Sequence, residues 1–503
     1  MNNRPPPAPT FPKKGERKMK TMRHLLICLT FCLCCGLLFA QTAEPAAQLV
    51  ASTDATAIST EATGVAVLND FKSSPEVEGA TQSRNWTLHA QGTAVEQMNA
   101  PFSAKYSGAN SLPTSVEGRE TLSLDIYSGT RLWRGAEFRV DMMTWQGFGL
   151  ATTLGIDDFP NGEAYKAGTR VPHENIARFF IRQSIGLGGE KENIADDQLN
   201  LAGSQNISRL TFTLGRFSCK DIFDTNSYAN DPRTQFMNWA LVANVGWDYP
   251  ADSLGYTTGM AVELNQPKWT LRYGFFQLSN HRNGFTAEDQ FLMWPGDSSA
   301  GDERFFHDWG MVVEHERRYS IQAHPGAVRL LGYVNQANMG SYQAALSAPG
   351  INIDLTHALR HTYGFGINAE QEITKNIGVF SRLGWNDGHN EAWMFTDVNH
   401  TGSVGLSIKG EPWHRPGDTI GVAGVVSGIS KINQEFLAAG GTGILDGDGG
   451  LQYAKEKVLE TYYDCKLTKH LRGALDYQFV ADPAFNSNRG PVSVFATRLH
   501  IEY

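Results

Sequence analysis

The chain ends with the stretch Arg498-Leu499-His500-Ile501-Glu502-Tyr503. Apolar residues alternate with polar or charged ones along it, and the outer series continues upstream through Thr497 and Phe495. Because successive side chains of a β-strand point to opposite faces, this stretch would have one mainly apolar face and one charged face. We therefore predict that it is the closing strand of an outer-membrane β-barrel, and that its terminal aromatic residue, Tyr503, is recognised by the barrel assembly machinery.

The same alternation recurs upstream, in segments of roughly ten residues that begin at about Asn85. Examples are Trp269–Phe275, Trp309–Val313, Ile377–Trp385 and Leu471–Phe479, each with charged residues on the opposite face. The predicted strands number about sixteen, the even count that bacterial barrels require. Their centres lie near residues 89, 124, 139, 181, 212, 260, 273, 311, 330, 367, 381, 405, 424, 459, 475 and 498.

The links between these segments alternate between short and long. Tight links include 265–267, 372–375 and 464–469, and long ones lie near 146–175, 218–255, 278–304, 336–360 and 430–453. Short turns at one rim and long loops at the other are typical of outer-membrane barrels. One link, about Gly188 to Asn206, is too long for the short-turn rim, and a rim insertion is the only explanation that the sequence offers.

A soluble sheet could show similar alternation, but the many charges in the middle of the predicted strands indicate a wet inner face. The apolar face would then meet lipid, where a sheet must close on itself because lipid provides no hydrogen-bond partners for its edges. About sixteen strands would enclose a lumen rather than a packed core. The predicted fold class is therefore an all-β, transmembrane antiparallel β-barrel of about 16 strands.

The N-terminus has the pattern of an export signal. A basic segment, Met19–Arg23, precedes the apolar run Leu25–Ala40, which is shorter than the roughly 20 residues of a membrane-spanning helix. We interpret residues 1–40 as a cleaved signal peptide, with Met19 or Met22 as an alternative start. Residues 41–84 are rich in Ala, Thr, Ser and Glu, which predicts a flexible periplasmic linker before a barrel domain at 85–503. The expected location is the bacterial outer membrane.

Composition and motifs exclude several function classes. The chain has 43 Lys and Arg against 52 Asp and Glu, a net charge of −9, whereas nucleic-acid binding requires a basic surface. Outside the predicted signal peptide only Cys219 and Cys465 remain, too few for a disulfide framework or a metal site, and whether they pair stays open. No enzyme motif is present, since His173-Glu174 lacks the second histidine of a zinc protease and Gly440–Gly450 lacks the lysine of a phosphate loop. No cofactor is expected.

One acidic pair in the glycine-rich run could contact Ca²⁺. Asp446 and Asp448 alternate there, but too few ligands follow them in sequence. We therefore predict an extracellular loop at this position rather than a metal site.

The alternation of side-chain direction along each predicted strand places charged residues on the inner face of the predicted barrel. Glu137, Arg139, Arg178 and Arg182 point inward on two neighbouring strands, and the same inner face carries Arg209, Arg272, Arg329, Arg382, Arg472, Arg498, Glu314, Glu316, Glu456, Glu460 and Asp476. Arginine presents a rigid fork of donors that could bind pairs of vicinal hydroxyls. A generic polar pore lining is the alternative interpretation.

The link after residue 218 is unusually rich in aromatic and amide side chains. Its stretch Phe223–Leu241 would bury aromatic rings if it folded into the lumen, where it would narrow the pore as a constriction loop. Sugars bind where aromatic faces stack on C–H groups and planar polar groups accept or donate to hydroxyls. The loop supplies that mixture in Asp231, Arg233, Asn238, Trp239 and Trp247. Alternatively, these aromatic rings only hold the loop against the wall.

Several long motifs resemble the carbohydrate-selective porin (OprB) family. They are Phe223–Tyr228, Asp231–Phe236, Asn238–Leu241, Trp247–Tyr249, Leu132–Phe138, Pro412–Asp418, and a C-terminal set made of Tyr453, Glu456, Glu460, Tyr462-Tyr463, Tyr477-Gln478, Asn488–Pro491 and Arg498–His500. The resemblance covers about Asn85 to Tyr503. The sequence departs from the family pattern before about Arg119 and at Cys219.

The resemblance implies a sixteen-stranded outer-membrane barrel for passive diffusion of glucose and other small sugars into the periplasm. It further implies a constriction of inward loops with arginine and acidic side chains, which here would be Glu137, Arg139, Arg178 and Arg182 near the loop with Arg233 and Trp239. The expected partners are small carbohydrates, outer-membrane lipid and the assembly machinery, with a homotrimer as a possible assembly. The alternatives are a less selective porin, or a barrel for polysaccharide export or adhesion.

Overall fold

The structure is a computed structural model that describes residues 84–164, 168–279, 282 and 306–503. The predicted signal peptide and the predicted linker up to residue 83 lie outside these ranges. The strands are β1 Trp86–Asn99, β2 Glu117–Trp133, β3 Ala136–Gly147, β4 Thr169–Gly186, β5 Lys191–Ile194, β6 Gly203–Asn206, β7 Arg209–Phe217, β8 Thr257–Gln266, β9 Trp269–Gln277, β10 Trp309–Ile321, β11 His324–Met339, β12 Ala358–Thr374, β13 Ile377–Asn386, β14 His400–Lys409, β15 Thr419–Gly428, β16 Glu456–Lys466, β17 Leu471–Ala481 and β18 Val492–Glu502.

Helical structure in the described residues is confined to short pieces. The α-helices are α1 Trp239–Val242, α2 Tyr342–Ala345 and α3 Lys431–Ala438, and 3₁₀ turns occur at Leu150–Thr152, Cys219–Asp221, Pro349–Ile351, Ile353–Thr356, Glu411–Trp413 and Pro483–Phe485. Within the ranges that the structure describes, no helix is long and apolar enough to cross a bilayer.

Sixteen of the strands form one closed antiparallel barrel, in which each strand pairs with its neighbours in the order β1-β2-β3-β4-β7 and onward through β18. Each of the sixteen predicted strand centres lies within one of these strands. The predicted fold class is therefore confirmed. The remaining two strands, β5 and β6, pair only with each other.

The C-terminal stretch closes the barrel. Strand β18 pairs with β1 from Gln91 opposite Glu502 to Asn99 opposite Val494. Tyr503 extends this ladder, because its backbone N–H donates to Ala90 O at 2.8 Å and its carbonyl accepts from Ala90 N at 2.9 Å. The ladder leaves no open edge between the first and last strands, as a membrane-spanning sheet requires.

The two faces of β18 differ as the alternation predicts. Phe495 and Leu499 are 47% and 54% exposed on the outer surface, whereas Arg498 and His500 are each 2% exposed on the inner side. The outer surfaces of the other strands expose further apolar side chains, such as Leu475 on β17 and Leu214 on β7. This apolar outer surface is the one that lipid would cover.

The two rims of the barrel differ in the length of their links. At the short-link rim the connections are 134–135, 187–208, 267–268, 322–323, 375–376, 410–418 and 467–470, and both Trp86 and Tyr503 lie at this rim. At the long-link rim they are 100–116, 148–168, 218–256, 278–308, 340–357, 387–399, 429–455 and 482–491. The long link at about Gly188–Asn206, for which the sequence offered only a rim insertion, contains the β5–β6 hairpin at the short-link rim.

Much of the lumen is packed rather than open. The link 218–256 folds inward, and its Phe236 and Leu241 join a buried apolar cluster with Phe380 and Tyr462 of the wall. The expectation of a wet inner face therefore fails over a large part of the wall. The reason is that an inward loop of this length buries the wall side chains opposite it, which strand parity alone does not reveal.

Candidate functional site

The inward loop, residues 218–256, is attached through its backbone to carboxylates of the barrel wall. The N–H of Asp224 donates to Glu314 on β10 at 2.8 Å, and the N–H of Met237 donates to Glu460 on β16 at 2.6 Å. Hydrogen bonds from backbone N–H groups to carboxylates are stronger than neutral ones and leave no buried donor unsatisfied. Glu314 and Glu460, which strand alternation placed inside, thus hold the loop instead of lining an open pore.

Asp224 is the main charged anchor of the inward loop. Its carboxylate lies 3.1 Å from Arg382 Nε on β13 and 2.9 Å from Lys220 Nζ. It also accepts from Asn368 Nδ2 on β12 at 2.7 Å and from the backbone N–H of Asn244 at 2.9 Å. Two cations and two neutral donors around one buried carboxylate fix the loop to the β12–β13 side of the barrel.

The loop reaches the far wall through two arginines. Arg498 on β18 donates through Nη1 to the carbonyls of Pro232 and Gln235, at 2.6 and 2.9 Å. From the loop itself, Arg233 Nη2 lies 3.1 Å from Asp125 Oδ2 on β2. The loop therefore extends from β7 to β18 and β2 and crosses the barrel. Arg498 thus binds the inward loop.

A ring of alternating charges lies between β2–β4 and the inward loop. Arg178 on β4 donates to Asp141 on β3 at 2.6 Å and forms a two-point contact with Asp221 at 2.8 and 2.7 Å. The guanidinium of Arg178 is 5.8 Å from the ring centre of Tyr127 on β2, and Arg233 Nη1 lies 3.5 Å from the hydroxyl of the same tyrosine. The structure thus brings Arg178 and Arg233, both predicted site residues, together beside Tyr127.

The other three predicted wall residues lie nearer the short-link rim. Glu137 is 3.2 Å from Arg139 Nη2 and 3.1 Å from Arg182 Nη1. Both arginines also bind the segment between β5 and β6, through the carbonyls of Gln198 at 3.4 Å and Leu199 at 3.0 Å. The link between β4 and β7, which carries the β5–β6 hairpin, therefore partly covers this end of the lumen. The four predicted wall residues do not form one ring: Arg178 lies at one level of the lumen, and Glu137, Arg139 and Arg182 lie at another.

Trp239 is the accessible member of an aromatic cluster on the long-link side of the loop. Its ring stacks on Phe159 with centroids 5.3 Å apart, and it lies 5.5 Å from Phe395 and 6.4 Å from Tyr249. Those three partners are buried, whereas Trp239 is partly exposed. The cluster comes from three different long links, so it forms only when the loops fold over the barrel mouth.

The remaining predicted loop residues shape the loop itself. Trp247 is 2% exposed and lies 5.5 Å from Tyr249. Asn238 is fully buried, caps helix α1, and donates to Asp158 O at 2.7 Å. The carboxylate of Asp231 accepts from the backbone N–H two residues later at 3.0 Å, which forms a local turn. The geometry does not present Trp247 or Asn238 to a solute.

Several residues in or beside the ring of alternating charges were not singled out from the sequence. They are Asp125, Tyr127, Glu163, Asp221 and Tyr256. Strand parity could have indicated Asp125 and Tyr127, because they alternate with the exposed Leu124 and Ile126 on β2. The other three lie on links, where no periodicity reports direction.

The chain was compared with known proteins. The family described as carbohydrate-selective porin, OprB family, matches residues 109–503. A solved structure of OprB from Pseudomonas putida is 15% identical, covers 83% of this chain and 94% of that one, and superposes with a TM-score of 0.62. Porin AaxA from two serovars of Chlamydia trachomatis is 23% identical over 301 residues, 59% of this chain. The match spans about half the length, 54%, of these chlamydial relatives.

A closed sixteen-stranded barrel with an apolar outer surface and an inward loop across its lumen defines an outer-membrane porin, and the bacterial outer membrane is its location. Short turns face the periplasm in such barrels, so the long-link rim is extracellular. The chain belongs to the carbohydrate-selective porin family, OprB.

Proposed function

We propose that this porin passes glucose and other small sugars selectively into the periplasm by passive diffusion. The observation that carries the proposal is the order of side chains along the β2–β4 side of the lumen. Trp239 is a partly exposed aromatic ring at the extracellular side, and Arg178 and Arg233 with their carboxylates lie where the inward loop meets β2–β4. An aromatic face suits the C–H surface of a sugar, and guanidinium–carboxylate pairs suit its hydroxyls.

The charged residues nearer the periplasmic, short-link rim support the same proposal. Glu137, Arg139 and Arg182 alternate in charge under the segment between β5 and β6, and Glu137 and Arg182 keep 16% and 17% of their side chains exposed. Arg139 and Arg182 share the carboxylate of Glu137, and their guanidinium forks present donors suited to sugar hydroxyls. We also propose that residues 1–40 direct export and that residues 41–84 form a periplasmic linker.

Liposome swelling across a panel of solutes tests this function. Proteoliposomes should swell faster in glucose than in a short polyethylene glycol of similar size, because the glycol offers the arginines no pairs of adjacent hydroxyls and has no sugar ring to stack on Trp239. Swelling rates that depend on solute size alone would show a general porin instead.

Replacing Trp239 with alanine should weaken sugar binding more than it changes ion flow. An aromatic contact contributes roughly 0.5–1.5 kcal/mol beyond its buried area, so the sugar concentration for half-maximal current block should rise roughly twofold to twelvefold. Trp239→Phe is the matched control, because it keeps an aromatic face and should retain most of the block. A Trp239→Ala channel with larger conductance and unchanged block would show that the ring only fills space.

A further inference from the structure

Three buried aspartates from three extracellular loops meet near the aromatic cluster of Trp239, since Asp157 and Asp397 lie two residues from Phe159 and Phe395. They are Asp157 on loop 148–168, Asp397 on loop 387–399 and Asp446 on loop 429–455. Each offers a carboxylate oxygen, and these oxygens all lie within 4.8 Å of one another. The three residues are at most 1% exposed. Nothing in the sugar proposal uses them.

The negative charge of this cluster is not balanced by the groups around it. The charged groups that act most strongly on Asp157 are all carboxylates, namely Asp397, Asp446, Glu456 and Asp158. Burying carboxylates together is costly unless a cation or shared protons accompany them.

The cluster also has lone pairs without a donor. Both carboxylate oxygens of Asp446 and Oδ2 of Asp157 are buried and accept no hydrogen bond from the described part of the chain. By contrast, Asp397 Oδ2 accepts from the backbone N–H groups of Ile444 and Leu445, at 2.8 and 3.1 Å. These two bonds position the turn that carries Asp446, so that its carboxylate points at the other two.

We propose that Asp157, Asp397 and Asp446 bind one calcium ion that joins the three extracellular loops. Calcium takes oxygen ligands at about 2.3–2.6 Å, so two ligands on opposite sides of the ion lie up to roughly 5 Å apart. The observed separations of the three oxygens fit one ion between them. Calcium also accepts irregular geometry, whereas magnesium demands a near-ideal octahedron and zinc prefers nitrogen and sulfur ligands.

The neighbouring Asp448, which the sequence paired with Asp446, is used differently. Its carboxylate lies 3.6 Å from Arg489 Nε and accepts from Ser111 at 3.3 Å. The glycine-rich loop therefore supplies one carboxylate to the site, and two other loops supply the rest. For this reason the ligands do not follow one another in sequence.

Calcium titration of the refolded full-length barrel tests the proposal. Protein refolded from inclusion bodies into detergent carries no outer-membrane lipid, so lipid-bound calcium does not contribute. After EDTA treatment and its removal, isothermal titration calorimetry should report one calcium ion per barrel with weaker binding of magnesium. The temperature at which the barrel loses its folded mobility on SDS gels should rise by several degrees with calcium. No binding, or an equal response to both metals, would overturn the proposal.

Substitutions distinguish an ion from shared protons. Asp446→Asn should weaken calcium binding roughly tenfold or more, since losing even an outer-shell partner has effects of that size. In EDTA the same variant should be at least as heat-stable as the parent, because one buried charge is gone. Asp157→Asn should behave alike if Asp446→Asn does not refold, and Asp354→Asn, an exposed acid on loop 340–357, should bind calcium as the parent does. Unchanged calcium binding in both cluster variants, or equal loss in Asp354→Asn, would contradict the assignment.

Discussion

Replacing Asp224 with asparagine is expected to loosen the inward loop and enlarge the channel. The substitution keeps size and tolerates the positive φ of 52° at this position, but it removes the carboxylate that Arg382 and Lys220 share. Two buried cations would then lack their counter-charge. Removing one partner of a buried ion pair typically costs about 3–5 kcal/mol.

The measurement is single-channel conductance in a planar bilayer, together with the heat-modified gel mobility that reports a closed barrel. We expect larger and noisier conductance from a barrel that is still folded, because the wall strands do not depend on the loop for their own pairing. Asp231→Asn is the matched control on the same loop: its carboxylate accepts local turn bonds from the Arg233 N–H and the Thr234 hydroxyl, of which the amide oxygen keeps the first while the hydroxyl can turn to accept from the amide N–H. A folded Asp224→Asn barrel with parental conductance would show that the apolar cluster alone holds the loop.

Replacing Leu475 with arginine should strongly destabilise the barrel in a membrane. Leu475 lies near the middle of β17, is 65% exposed and points away from the lumen. An arginine on the lipid face near the bilayer midplane costs roughly 2–4 kcal/mol, and the cost falls to about 0–1 kcal/mol near the interface. The free energy of unfolding from phospholipid vesicles, measured by guanidinium titration, should fall accordingly.

Leu467→Arg is the control for that substitution. Leu467 is 53% exposed in the link between β16 and β17, at the periplasmic rim, so its arginine would reach water. A near-zero effect there with a large effect at Leu475 would confirm the depth of the lipid band. Equal and small effects at both positions would mean that the outer surface faces water.

The sequence predicted the barrel well because its signal is local. Alternation within each strand places Arg498 and His500 on the inner face without reference to the rest of the chain, and link length separates the two rims. The partner of an inward residue is a different matter. Arg498 binds the carbonyls of Pro232 and Gln235 on the inward loop, a pairing that no pattern in the closing strand encodes.

The same limit applies to the candidate site. The mixture of aromatic and amide residues predicted an inward loop, but not that Trp239 stays partly exposed while Trp247 is buried within the loop. Exposure depends on contacts with Phe159 and Phe395, which come from two other links. The surroundings of Asp446 could not be predicted from a local pattern either, because its neighbours Asp157 and Asp397 are distant in sequence.

The central claim is that the narrowed lumen selects sugars, and current block in a planar bilayer tests it most directly. Glucose and maltose would be titrated against a neutral non-sugar of similar size while the ion current through single barrels is recorded. The account predicts saturable block by the sugars and none by the non-sugar. Equal indifference of the current to all three solutes would contradict it.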